Sequence, residues 1–316
     1  MSKISPTIQM VLNEYPRLAA IERLRMNGRP GVKTVSNAVV SIRRLCQIGE
    51  ISTDEPFATF TRKRLLTVLD RARSEGLQPV TIWSYLYALR LVFARWTRPY
   101  YADLKWQIPP VELPSCLRQA PRYVRPDSAV LAKVKEWYRS LEGRPDGREW
   151  ALATLMLEFA MRNGDAASLR WADFRTKGES VFLCYTPHKT SLSSQRRVAW
   201  PVHPDIWERF CAYRESGSQR SKRGGWEKNA ARNAQLVVPC ADDVYVRLNR
   251  ELRSLKIFTG SKACYELRKI CIDHVYQKFG AEMASSISGD DIRTMMRYYA
   301  DPAQPNIGNV RILDLL

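Results

Sequence analysis

The stretch ACYELRKICIDHVYQKFGAEMASSISGDDIRTMMRYYADP, residues 263–302, carries the reading of the fold. Leu267 and Arg268 open an apolar helix that runs to Phe279 and meets Gly280, a residue that favours a break. Ile287-Ser288-Gly289 then forms a turn, and DIRTMMRYY (291–299) follows, ending in the tyrosine pair Tyr298-Tyr299. A guanidinium and a phenol, 30 positions apart at 268 and 298, are spaced for one turn of protein to bring them together.

Upstream, EWALATLMLEFAMRNGDAASLRWADF (149–174) predicts an apolar helix ending at Met161, with Arg162 directly after it. Asn163-Gly164 turns the chain, and Asp165 is expected to open a second helix bearing Leu169. Between these stretches, SVFLCYTPHKTSLSSQRRVAWPV (180–202) places two β-rich runs around a polar turn, with Lys189 at the end of the first run. Two arginines, a hairpin lysine and a late tyrosine suit metal-free cleavage of a phosphodiester. The arginines hold the phosphate, the lysine protonates the leaving oxygen and the tyrosine attacks phosphorus. Taken singly, Arg162 reads equally as a salt-bridging residue and Lys189 as an exposed turn lysine.

The composition agrees with a polyanionic partner. The 316-residue chain has 50 Lys+Arg against 32 Asp+Glu, a net charge of +18, and 45% hydrophobic residues, enough for two domains with real cores. Seven dispersed cysteines without a CxxC pair argue for reduced thiols. No apolar run approaches the roughly 18 residues of a membrane span, and the N-terminus has no uninterrupted apolar core of a signal peptide. A cytoplasmic location and no membrane partner are the expectation. The three histidines (His188, His203, His274) are not spaced with carboxylates or cysteines as metal ligands, so neither a metal nor another cofactor is expected.

The N-terminal part reads as helices from about residue 30 to 106. TVSNAVVSIRRLC (34–46) sets Val35, Val39, Ile42, Leu45 and Cys46 at helical spacing beside Arg43 and Arg44. TRKRLLTVLDRARSEG (61–76) offers Leu65, Leu66, Val68 and Leu69 as a buried side, with Gly76 as a stop. VTIWSYLYALRLVFARW (80–96) is the most apolar, and its aromatics Trp83, Tyr85, Tyr87, Phe93 and Trp96 read as core. Arg43, Arg44, Arg62, Lys63 and Arg64 are candidates for DNA phosphates, with a solvated helix face as the plain alternative. Five prolines and no periodicity make residues 107–127 a linker. Helices are expected at about 128–141 and 148–161, a hairpin at about 180–202, helices thereafter, and a polar surface loop at 214–235. The expected division is a helical domain over 1–106, a linker over 107–127 and a second domain over 128–316. The fold class is mainly α with a small β-hairpin or sheet.

These stretches resemble the tyrosine recombinases, the integrase family. Arg162, Asp165, Leu169, Trp171 and Asp173 follow the family pattern GLRxxELxxLxWxD, with Asp in place of Glu. Residues 265–298 follow HxLRHxxAxxxxxxG…LGHxxxxTTxxY. The resemblance implies a helical core-binding domain followed by an α+β catalytic domain, and double-stranded DNA as partner. It also implies a tetramer on two DNA sites, and a site-specific recombinase acting through a 3′-phosphotyrosine without metal or ATP. The implied catalytic residues are Arg162, Lys189, Arg268 and Tyr298, with Tyr299 as the alternative nucleophile because the turn before it is one residue short. Two histidines of the family's active site are missing. Tyr265 stands for the first and is a candidate hydroxyl donor; Gly289 or Asp290 stands at the second, and Lys269 replaces the histidine after the arginine. The rival readings are an accessory DNA-binding protein that has lost efficient chemistry, and a type IB topoisomerase, which shares the chemistry without a specific site.

Overall fold

Four amphipathic helices make up the first of two units in a computed structural model that describes residues 6–25, 31–96, 123–188, 197–216 and 234–299. The units divide the chain into Met1–Pro121 and Arg122–Leu316.

In the first unit, α1 (Ile8–Arg25), α2 (Val32–Gly49), α3 (Arg62–Ser74) and α4 (Pro79–Trp96) close around one core. Ile8, Leu12 and Tyr15 meet Ile42, Leu45, Val68, Leu86 and Leu89 there, and Phe57 and Phe60 pack edge to face at 5.5 Å. Helix α1 lies outside the stretch that periodicity predicted, and it holds Pro16 within its length. Helix α3 starts at Thr61, whose hydroxyl accepts from the Arg64 N–H, and Gly76 just past its end adopts φ +74°. Two expected core residues are exposed. Leu66 sits about 100° around α3 from the Leu65–Val68–Leu69–Ala72 stripe, and one helix face cannot bury both leucines. Tyr87 stacks on Trp83, one turn earlier, with ring centroids 5.0 Å apart, and faces solvent. The side chains of Phe93 and Trp96 lie outside the described residues.

The second unit is built on α6 (Gly147–Leu157), whose residues from Trp150 to Leu157 are all buried. A helix apolar on every side must be surrounded. Around it lie α5 (Ser128–Ser140), α8 (Pro204–Glu215), α9 (Ala241–Ser254) and α10 (Ala263–Ser288), and α11 (Ile292–Tyr299) packs on α10. The short α7 (Asn163–Ala166) precedes an antiparallel sheet of β1 (Phe174–Lys177), β2 (Ser180–Tyr185) and β3 (Val198–Val202), in the order β1-β2-β3. The expected hairpin is β2–β3, paired from Val181↔Val202 to Tyr185↔Val198. Strand β1 was not anticipated; it joins β2 through Gly178, at φ +61°, between paired Lys177 and Ser180.

Two helix boundaries differ from expectation. Helix α6 stops at Leu157, not Met161, and Ala160 takes a left-handed φ of +48°. Helix α7 is only four residues long, so Leu169 is not on a helix; its carbonyl accepts from Val237 N–H, bringing the segment beyond 233 against it. In both places backbone groups bond to distant segments instead of continuing a helical ladder. Helix α10 is bent at Gly280, whose φ of +82° and ψ of 179° are non-helical, as the glycine there suggested. The turn lysine Lys189, the loop stretch 217–233 and the residues after 299 lie outside the described residues.

Candidate active site

Arg162 and Arg268, 106 positions apart in the chain, are brought to one carboxylate. Arg162 follows α6 as the N-cap of α7, and Arg268 lies in the first half of α10. Arg162 Nη2 donates to one oxygen of Asp290, and Arg268 Nη2 donates to the other at 2.5 Å. Both also donate to the Ser288 carbonyl, Arg162 through Nη1 at 3.4 Å and Arg268 through Nη2 at 3.1 Å. Arg268 Nη1 donates further to the Ala160 carbonyl. The left-handed turn at Ala160 follows the end of α6 and leaves this carbonyl off the helical ladder, where the guanidinium takes it.

Arg268 is fully buried. Burial by itself disfavours its charge, and the neighbouring Asp290 carboxylate reverses the direction, so the guanidinium pKa rises and the group stays cationic. Tyr265, the stand-in for the first missing histidine, places its ring centroid 6.0 Å from the Arg268 Cζ. Lys269, next along α10, pairs with Glu266 at 2.7 Å.

Asp165, the aspartate where the family pattern has Glu, is buried and joins two parts of the site. One oxygen lies 3.6 Å from Arg162 Nη1, and the other accepts from the His188 backbone N–H at 2.8 Å. It thereby ties the base of the β2–β3 turn to the first arginine. Lys189 follows His188 directly in the chain. Tyr185, at the end of β2, lies within electrostatic reach of Asp165, Arg268 and Arg162, and burial raises its hydroxyl pKa. It was not among the residues expected from sequence; its only signal was its place just before the turn.

The turn bearing Asp290 is braced. Gly289 ends α10 at φ +64° and donates its N–H to the Ser285 carbonyl at 3.0 Å. A Cβ on Gly289 would lie 2.6 Å from Pro187 Cγ, so the turn and the hairpin segment pack too closely for any other residue. Ser285 Oγ donates to the Asp290 carbonyl at 2.7 Å, and the Asp290 N–H donates to Ser288 Oγ at 3.1 Å.

Of the tyrosine pair, Tyr299 is half-buried, with ring centroids 5.3 Å from Tyr123 and 6.4 Å from Tyr276. Burial and Tyr265 push its hydroxyl above the ordinary tyrosine range, and the Arg268 charge opposes them. Tyr298 is on α11, with its side chain outside the described residues.

In the first unit the basic candidates divide. Arg64 makes a two-pronged ion pair with Glu55, its Nη2 donating at 3.0 Å, and Arg44 pairs with Glu75 at 2.9 Å. The Glu55 pKa is lowered chiefly by its bond from Arg64. Arg43, Arg62 and Lys63 are exposed. Among the described residues no group of three His, Cys, Asp or Glu side chains is placed to hold a metal ion, and no helix is long and apolar enough to cross a membrane.

No family model and no curated relative matches the sequence. Solved structures do match the fold. A lambda integrase tetramer bound to a Holliday junction aligns at a TM-score of 0.63 and 16% identity, over 98% of this chain and 82% of that one. XerH site-specific recombinase bound to difH substrate aligns at 0.63 and 12% identity, over 95% of this chain and 96% of that one. The Tn1549 transposon integrase in complex with transposon right end DNA aligns at 0.61 and 14% identity, over 94% of this chain and 96% of that one. With both its helical first unit and its arginine-centred second unit within these alignments, the chain has the fold of the tyrosine recombinases.

Proposed function

We propose that this protein is a site-specific DNA recombinase that cuts and rejoins double-stranded DNA through a 3′-phosphotyrosine, as an integrase of a mobile element acting in the cytoplasm. One observation carries the reading: Arg162 and Arg268 converge on two oxygens of a single carboxylate, the span over which two guanidiniums would share the non-bridging oxygens of one phosphate. Tyr298 is the proposed nucleophile. Its oxygen bonds to phosphorus as the bond from phosphorus to the 5′ oxygen breaks; the phenol gives up its proton to solvent, and Lys189 protonates the departing 5′ oxygen. Attack by the 5′ hydroxyl of a second strand reverses the step and conserves the bond energy, so no ATP is consumed. Tyr265 is proposed to donate its hydroxyl toward the phosphate. Tyr299 is the second candidate nucleophile, because it lies within electrostatic reach of Arg268. Arg43, Arg62 and Lys63 are proposed to contact the DNA backbone, with Arg44 and Arg64 held partly by their carboxylates. Assembly as a tetramer on two sites completes the proposal, by likeness to the lambda integrase tetramer on its junction.

A second reading has a specific observation in its favour. Arg268 is fully buried with Asp290 on its guanidinium, which suits a DNA-binding accessory protein with little strand cleavage. A nicked suicide substrate separates the two. A covalent protein–DNA adduct that disappears in Tyr298→Phe supports the recombinase. An adduct that survives Tyr298→Phe and vanishes in Tyr299→Phe moves the nucleophile by one residue. Tight DNA binding without any adduct on a cognate site supports the accessory role.

A further inference from the structure

We infer that Asp290 is a built-in competitor for the phosphate site: its carboxylate occupies the place of two phosphate oxygens between Arg162 and Arg268, and DNA must displace it. The inference rests on reading the two arginines as the phosphate-holding groups. Three features support it. The contact is bidentate across two guanidiniums, one carboxylate oxygen to each, which is the geometry an anion adopts between two forks. With Asp290 in place, Arg268 is fully buried and both its terminal nitrogens are engaged, Nη1 by the Ala160 carbonyl and Nη2 by Ser288 and Asp290. A phosphate brought to the same nitrogens would meet a like charge at contact distance.

Asp290 is placed to move without unfolding its surroundings. It lies between α10 and α11, after the left-handed Gly289, and its side chain keeps 20% exposure while Arg268 has none. Bonds that fix the turn come from backbone atoms and from Ser285 and Ser288. Rotation of the carboxylate therefore frees two guanidinium edges and leaves the Ser288 carbonyl to hold both arginines in place. In the free protein this arrangement pairs the charge of the arginines and engages the terminal nitrogens of Arg268, and it lowers affinity for small anions. Extended DNA, with contacts elsewhere on the chain, supplies the binding energy that displaces the carboxylate.

The test uses inorganic phosphate on the full chain, so that it does not depend on strand cleavage. Asp290→Asn, almost the same shape without the charge, is expected to bind phosphate about tenfold or more tightly than wild type by calorimetric titration. The gain should vanish when Arg162→Ala is added, which separates this site from the many other basic groups of a +18 chain. Asp290→Ser, lacking both charge and length, serves as the second variant if Asp290→Asn does not melt cooperatively, with the same expectation. Phosphate affinity equal to or weaker than wild type in folded variants would overturn the inference and make Asp290 a positioning residue that holds the arginines. A phosphate gain with no DNA adduct from either tyrosine would leave Asp290 as competitor and remove the recombinase reading instead. On a cleavable substrate, faster adduct formation by Asp290→Asn supports the inference as well.

Discussion

Replacing Glu158 by Gln should make the protein more stable above neutral pH and remove part of its pH dependence. Glu158 caps the C-terminus of α6, is almost fully buried, and lines a cavity of about 220 Å³ with Leu131, Val134, Leu157, Cys271 and His274. Burial pushes its carboxyl from 4.5 to about 7. A rise of that size, at about 1.4 kcal/mol per pH unit, corresponds to roughly 3 kcal/mol of differential proton binding. The folded chain holds this proton more tightly than the unfolded chain. The contribution to stability is therefore fully present below about pH 4.5, falls as pH rises, and is lost above about pH 7, where the buried carboxylate is ionised. Glutamine fills nearly the same space without titrating. Urea unfolding free energies of wild type and Glu158→Gln, measured from about pH 5 to about pH 8, should diverge by up to about 3 kcal/mol in favour of the variant at the upper end. Taking the difference removes the neighbouring groups from the comparison. Asp273, raised by burial and paired with Arg125 at 2.8 Å, and His274, lowered by burial, titrate alike in both proteins. A constant offset across that range would refute the argument, because it would mean that Glu158 is ionised in the fold at every pH tested.

Other expectations bear on the site and the first unit. Gly289→Ala forces a side chain into a left-handed position and against Pro187, so it should cost about 1–3 kcal/mol in thermal unfolding and slow adduct formation by shifting the turn whose Ser288 carbonyl holds both arginines. An unchanged melting temperature would contradict the close packing. DNA affinity should fall steeply with salt, with a log–log slope near −0.9 for each phosphate neutralised, and a flat response would remove the basic-face argument. Lys63→Ala should reduce that slope by about one, whereas Arg64→Ala, which strips Glu55 of its partner, should lower the melting midpoint of the first unit more than it changes the slope. Filter-binding titrations and melting curves on the same variants distinguish these effects.

The helical periodicity of 34–46 and 61–76 was enough to find α2 and α3, because a helix that buries one face repeats its apolar residues every three or four positions. The same rule over-counted Leu66, since residue type does not tell which edge of a stripe faces the core. Residues 180–202 announced β2–β3 by their β-branched and aromatic runs around a polar turn, but β1 is short and largely exposed, and FRTK has no apolar alternation to mark it. Hydrophobicity extends α6 to Met161 because Phe159-Ala160-Met161 is as apolar as the helix before it, whereas in the fold the Met161 N–H turns back to the Leu155 carbonyl.

The sequence by itself determined which groups are available: two arginines, a tyrosine pair, a hairpin lysine, and the absence of the two histidines of the integrase pattern. Local pattern and chemistry suffice for that, because helix faces, turn residues and charge are properties of neighbouring positions. Only the tertiary structure decided what those groups touch. The joining of Arg162 to Asp290 spans 128 positions, that of Arg268 to the Ala160 carbonyl 108, and that of His188 to Asp165 23. Asp290 looked like a filler where a histidine was missing, and the fold sets its carboxylate between the two arginines. The physical reason is that burying Arg268 requires a partner for its charge and acceptors for its donors: Asp290 supplies the first, and the Ser288 and Ala160 carbonyls accept from its terminal nitrogens.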